Sequence, residues 1–288
     1  MFDYVKNHLQ YALRSYLRNP NHIAKNVIWR WRSGVSSKRH VFVIGAPRSG
    51  TTLLQTLIAG HSRYCTWEGE TTMFTWRDTF STTDNHLGLN EDVIETHFRR
   101  QNNLVDFFDA CVGEFLEGRS ADRFVEKTPQ HVKHTQFLTH HFPKSHIVHI
   151  YRDGRDCYCS ARKAEIPRGG DLGRFARYWR TCIEARRSAS SGQIIDVSYE
   201  TLTAQPEDTM HRLMAALGDE LESGQLDPSR RAEDQRADVQ KFRKLGRSIN
   251  TSSQGRWKGE LSQKEVQRFE QIAGEQLRAF GYQTKPAA

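Results

Sequence analysis

The sequence predicts an α/β fold, read as one domain with a mainly parallel central sheet flanked by helices. Three observations predict it. Short apolar β-runs recur at residues 41–44, 123–126, 147–151 and 194–198. Segments of helical periodicity lie between them, and strands that alternate with helices favour a parallel sheet. The first run ends in a glycine-bounded turn directly before a helical pattern, a P-loop-like strand–loop–helix unit.

The elements follow in order. Residues 1–38 read as a basic, aromatic N-terminal helical segment ahead of a domain spanning 39–288. Val5, Leu9, Ala12 and Tyr16 fall at helical spacing before Asn19-Pro20-Asn21 breaks the run. Trp29 and Trp31 then sit among Lys25, Arg30 and Arg32. Such a stretch suits a membrane-surface helix or packing against the main domain, and packing is the preferred reading. The strand at 41–44 ends in Gly45, and a helix begins at Thr51. Leu104, Phe107, Phe108, Cys111, Val112 and Phe115 mark one face of a long helix. A helix around 132–141 separates the second and third strands. Leu172, Phe175, Trp179, Cys182 and Ile183 define another helix, and 210–217 and 266–280 are helical after the fourth strand.

Composition narrows the function classes. The chain has 288 residues, 37% of them hydrophobic, which suits an ordinary globular protein. It contains no apolar run of the roughly eighteen residues a membrane span needs. The first residues lack a signal-peptide pattern, so the expected compartment is cytoplasmic. Cys65, Cys111, Cys157, Cys159 and Cys182 form no CxxC pair, which speaks against a zinc site or disulfide framework. His140, His141, His146 and His149 lack metal-site spacing and read as surface or core histidines, so no metal is expected. A net charge of +8 favours acidic partners, whether nucleic acid, anionic membrane or phosphorylated ligands, or is a solvated basic surface.

The most informative stretch runs from Gly45 through Ala46, Pro47, Arg48, Ser49 and Gly50 to Thr51 and Thr52. A loop of this kind turns successive backbone N–H groups toward one point, where a helix N-terminus adds positive potential. Phosphate-like oxyanions are captured there. The two glycines have the separation of the nucleotide-triphosphatase loop, but Thr51 stands where that motif requires Lys. The cation has moved inside the loop, to Arg48.

A second such site follows the third strand. Arg152, Asp153, Gly154 and Arg155 open a helix, and Ser160 lies eight positions after Arg152. A guanidinium and a hydroxyl so placed can grip a phosphate.

The string from Pro47 to Thr52 resembles the 5′-phosphosulfate loop of the PAPS-dependent sulfotransferase family, in the branch that uses a carboxylate base, as in bacterial, carbohydrate and tyrosylprotein members. Arg152 and Ser160 resemble the family's 3′-phosphate site in order and spacing. Ser198-Tyr199-Glu200-Thr201-Leu202 resembles its SYExL element, which implies that Tyr199 lies near the adenine; a strand-end core tyrosine is the alternative. Residues 252–258 resemble the late loop over the nucleotide, which implies Arg256 or Lys258 at the 3′-phosphate. The resemblance covers roughly 40–260. It implies PAPS as donor, PAP as product and Ser49, Gly50, Thr51 and Thr52 as donor contacts alongside Arg48.

Sulfuryl transfer needs a proton acceptor, cations at the group in flight and a stabilised leaving phosphate. Arg48 can serve the leaving group's charge but not as base, because guanidinium stays protonated. Gly69-Glu70-Thr71-Thr72-Met73-Phe74 resembles the family's GExxxF stretch, which implies Glu70 as base, with Glu68 its rival. Lys127, before Thr128-Pro129, matches the lysine that contacts the transferring group in related enzymes; pairing with Glu126 on the surface is the alternative. No histidine follows the loop where the small-molecule branch keeps its base. The acceptor is expected to be a hydroxyl of a small molecule, a carbohydrate or a peptide tyrosine, with no nucleic-acid partner. The rival readings are a P-loop kinase-like enzyme, a non-enzymatic protein binding through its basic surface, and a PAPS-fold protein without activity.

Overall fold

The computed structural model describes residues 21–29, 32, 34–75, 87–166, 169–189, 192–229 and 247–284. The helix expected around Val5 to Tyr16, and Trp31, lie outside the described residues. Helix α1 (Asn21–Trp29) precedes strand β1 (Val41–Gly45), helix α2 (Thr51–Ala59) and strand β2 (Tyr64–Thr66). Helices α3 (Glu91–Arg100) and α4 (Leu104–Leu116) lead to β3 (Arg123–Lys127). A 3₁₀ turn (Pro129–His134), α5 (Thr135–His141), β4 (His146–Tyr151) and α6 (Gly154–Lys163) follow. Then come α7 (Leu172–Arg187), β5 (Ile194–Ser198), α8 (Tyr199–Ala204), α9 (Pro206–Leu217), α10 (Trp257–Glu260) and α11 (Gln263–Ala279).

All five strands pair in parallel, in the order β2-β3-β1-β4-β5. The mainly parallel sheet expected from the sequence is therefore present. β1 is central, and each of its residues is buried because helices cover both faces. Alternate side chains feed two cores. Phe42 and Ile44 join Phe74, Phe108, Phe124 and Phe142 on one face. Val41 and Val43 meet Leu54, Leu57 and Leu213 on the other.

Three features depart from the sequence reading. β2 carried no apolar run. α3 buries only Ile94 and Phe98, too few to show a stripe. The helix expected around 132–141 opens as the 3₁₀ turn at Pro129 and becomes α-helical only from Thr135. The Lys25–Trp29 stretch packs on the domain, as preferred. Trp29 stacks near Phe98 and Phe107, with ring centroids 4.8 and 5.4 Å away. Lys25 Nζ donates to the carbonyls of Phe98, Arg99 and Gln101, at the negative end of the α3 dipole.

None of the five cysteines forms a disulfide. His149 is a core histidine, its Nδ1 2.8 Å from Asp196. Among the described residues, no helix is long and apolar enough to cross a membrane, and no group of three His, Cys, Asp or Glu could hold a metal ion.

Candidate active site

The loop from Gly45, Lys127, Arg152 and Tyr199 lie at the carboxyl ends of four neighbouring strands, the usual place for a ligand in an open parallel sheet, whereas Glu70 follows β2, Ser160 lies within α6 and Arg256 and Lys258 lie in the late loop. β1 runs into the glycine-bounded loop, with β3 and Lys127 beside it on one flank and β4 and Arg152 on the other. Each flank is one strand spacing away, about 4.8 Å. Tyr199 follows β5 directly.

The loop is folded tightly against its surroundings. A Cβ on Gly45 would stand 2.4 Å from the Ile150 carbonyl, so no side chain fits there. Gly50 has a φ of 106°, and its Cβ would stand 2.6 Å from the Tyr199 ring. Between them Arg48 holds a left-handed φ of 71°, a conformation a non-glycine residue keeps only when its neighbours impose it. Ser49 is fully buried, and its hydroxyl finds no partner among the described residues. Thr51 and Thr52 open α2 immediately after.

The two anion motifs meet. Arg48 Nε donates to Ser160 Oγ at 3.1 Å, and Arg152 Nη1 donates to the Arg48 carbonyl at 3.2 Å. Arg152 is buried and also donates to the Ser253 carbonyl, yet its Nε has no partner among the described residues. Its guanidinium lies 4.2 Å from the centre of the Tyr199 ring. Tyr199, the first residue of α8 directly after β5, is buried in the core with its ring against Arg152 and Gly50. Burial, with Arg152 and Arg256 nearby, pulls the Arg48 pKa below its ordinary value. Buried donors without acceptors are costly. Ser49 Oγ and Arg152 Nε therefore fit a bound oxyanion that supplies the missing acceptors.

The late loop is tied to the same place from beneath. Asp156 accepts from the backbone N–H groups of Gly255 at 2.7 Å and Trp257 at 3.0 Å. Burial raises the pKa of its carboxyl. Arg256 is held by Glu260 through two bonds of 2.9 and 3.0 Å, and Lys258 Nζ lies 5.9 Å from the Trp257 ring. Asp156 and Ser253 were missed in the sequence; a carboxylate in the first turn of the Arg152 helix was the one available signal.

Arg155 takes a different path from Arg152. It is buried in the core, where it forms two bonds with Asp153 (3.0 and 2.7 Å), one with Glu270 (2.6 Å) and one with the Gln283 carbonyl (3.0 Å). Its guanidinium also stacks 3.8 Å from the Trp257 ring.

On the β3 flank, Lys127 Nζ donates to Glu70 Oε1 at 2.7 Å. Lys127 is 3% exposed, whereas the Glu70 side chain is 39% exposed, so the carboxylate is the accessible half of the pair. Lys127 is not the surface partner of Glu126 that the sequence left open: both are buried, and Glu126 faces Thr71, Thr128 and His131. Chemically, the arrangement offers an anion cradle at the centre, guanidinium groups on one side, and a carboxylate–ammonium pair on the other.

Comparisons with known proteins agree with this architecture. Residues 40–223 match the model of the Sulfotransferase family. Protein-tyrosine sulfotransferase 2 of Gallus gallus is 27% identical over 201 residues, covering 62% of this chain and 50% of the relative. The chain spans between 26% and 63% of the length of the curated relatives it matches. The sulfotransferase domain from the olefin synthase of Synechococcus PCC 7002 superimposes with a TM-score of 0.58 at 18% identity, over 84% of this chain and 96% of that one. A mouse sulfotransferase, SULT7A1, complexed with PAP superimposes with a TM-score of 0.51 at 13% identity, over 85% of this chain and 86% of that one. With a family model matching well over half its length, the chain belongs to the sulfotransferase family.

Proposed function

We propose that the protein transfers a sulfuryl group from PAPS to an acceptor hydroxyl, of a carbohydrate, a metabolite or a peptide tyrosine, and releases PAP. The observation that carries this reading is the meeting of Arg48, Ser160 and Arg152, together with two buried donors, Ser49 Oγ and Arg152 Nε, that find no acceptor among the described residues. The mouse neighbour, complexed with PAP, supports it by its shared fold, and the Gallus relative keeps a tyrosine hydroxyl among the acceptors. Thr51 in place of the loop lysine weighs against a kinase. Five cysteines without a disulfide suit a reducing compartment such as the cytoplasm.

Bound PAPS supplies a sulfuryl group whose bond to the 5′-phosphate breaks, with its electron pair, as the acceptor oxygen bonds to sulfur. In this reading Ser49, Gly50, Thr51 and Thr52 hold the 5′-phosphate, and Arg152 and Ser160 the 3′-phosphate. Arg256 and Lys258 close from the late loop, and Tyr199 stands on the adenine side. Glu70 takes the proton of the acceptor hydroxyl. Lys127 and Arg48 face the charge that builds on the transferring oxygens and the leaving phosphate.

PAP at a hundred times its dissociation constant should add about 2.7 kcal/mol of stability in thermal unfolding without magnesium. Arg152→Ala should abolish that shift. Stabilisation by ATP and magnesium alone would favour a kinase, and no shift with any nucleotide would end the donor reading. Lys127→Ala should slow PAP release from PAPS by about 10²-fold, the usual loss for one electrostatic donor at a reacting centre. PAP affinity should hardly change in that variant; an unaltered rate would make Lys127 a structural residue.

A further inference from the structure

The segment carrying Glu70 leaves β2 as irregular chain, and side chains from the β3 end hold it in place. Glu126, 1% exposed, accepts from Thr71 Oγ1 at 2.8 Å, Thr128 Oγ1 at 2.6 Å and His131 Nδ1 at 3.0 Å. Thr128 Oγ1 in turn accepts from the Thr72 N–H at 3.2 Å. His131 Nε2 is 3.2 Å from the Phe74 backbone nitrogen. A backbone N–H only donates, so Nε2 carries the lone pair and the proton sits on Nδ1, facing Glu126. The ring is held between the Phe74 N–H and the Glu126 carboxylate.

Burial opposes ionisation of Glu126, but the electrostatic attraction of His131 and the hydrogen bonds from His131, Thr128 and Thr71 outweigh it and hold the carboxyl below its ordinary range. Consecutive strand residues thus grip consecutive loop residues: Glu126 holds Thr71, and Lys127 holds Glu70. Thr72, next in line, keeps a left-handed φ of 49°, which its anchored neighbours impose. A buried carboxylate with its polar partners adds little net stability over well-packed apolar residues, so geometry is the better account of this one.

We infer that Glu126 and His131 form a positioning device that fixes Glu70 against Lys127, where it can take the proton of the acceptor hydroxyl; this rests on the reading of Glu70 as base. Neither residue touches the reacting atoms. The device acts through the Phe74 N–H and the Thr71 hydroxyl.

The test compares two substitutions with different reach. His131→Asn keeps a donor near Glu126 and loses the acceptor for Phe74. His131→Gln puts a carbonyl oxygen near the Nε2 position. Single-turnover PAP release from PAPS, with water as acceptor, should slow by about 10²-fold in the Asn variant, the usual result of a 1 Å misplacement. The Gln variant should recover most of that loss, and PAP affinity by calorimetry should stay constant in both. A wild-type rate in His131→Asn, or a parallel loss of rate and PAP affinity in both variants, would overturn the positioning role. So would a nitrogen-15 spectrum placing the His131 proton on Nε2. Failure of the wild-type protein to bind PAP would instead sink the donor reading. Hydrogen exchange at the Phe74 amide, faster in Asn than in Gln, then decides whether His131 anchors the segment; equal exchange in the two overturns that anchoring.

Discussion

Glu70→Gln lowers turnover by about 10²–10⁴-fold, the range that removal of a general base produces. The substitution is chosen for what it spares. Glutamine keeps an oxygen at the position of Oε1, so Lys127, almost wholly buried, keeps an acceptor 2.7 Å from its ammonium group. The packing of the segment is unchanged. Only the capacity to take a proton is lost. PAP affinity should therefore match the wild type, because the Arg152 side lies across β1 from this pair. The measurement is PAP release from PAPS under single-turnover conditions, paired with PAP calorimetry. A near-normal rate would remove Glu70 from the chemistry and bring Glu68 forward. A joint loss of rate and affinity would make Glu70 a structural partner of Lys127.

Arg155→Met costs about 3–5 kcal/mol of stability, the usual penalty for breaking a buried ion pair from one side. Methionine preserves much of the stem volume but removes the cation shared by Asp153 and Glu270. Asp153 is then a buried carboxylate that caps α6 with no counter-charge beside it. The loss should appear as a lower urea midpoint with an unchanged slope. PAP binding should weaken as well, because the Arg155 guanidinium also stacks on Trp257 of the late loop. A change below about 1 kcal/mol would mean that Asp153 reaches water in the variant and the cluster is worth no more than a surface pair.

β1 was legible because burial on both faces writes it as a continuous apolar run, Val41-Phe42-Val43-Ile44, and β3, β4 and β5 were legible from shorter apolar stretches among polar residues. β2 was not: Tyr64-Cys65-Thr66 is a short edge strand whose polar third residue bonds Val125 across the ladder. The glycine-bounded loop, Arg152 and Ser160 could be read because each motif is a local string. Glu70 and Lys127 could each be named from neighbouring residues, but nothing local announces that they meet. Glu126, His131 and Asp156 escaped for the same reason, since a carboxylate or imidazole becomes a buried anchor only when distant backbone groups arrive beside it. Arg152 and Arg155 make the point most sharply. The string shows two equivalent arginines, and the fold sends one to the site and the other into the core.

The register of the sheet has a consequence for how the chain acquires its shape during synthesis. Val41 pairs with Val125 on one side and His146 on the other, so β1 emerges long before either neighbour exists. Pairings so distant along the chain form slowly, and an apolar strand waiting for them is a target for aggregation. The glycine-bounded loop waits too, because Gly45 is braced by the Ile150 carbonyl and Gly50 by Tyr199. A nascent chain stalled before the fourth strand carries every residue of that loop and nothing to fold it against.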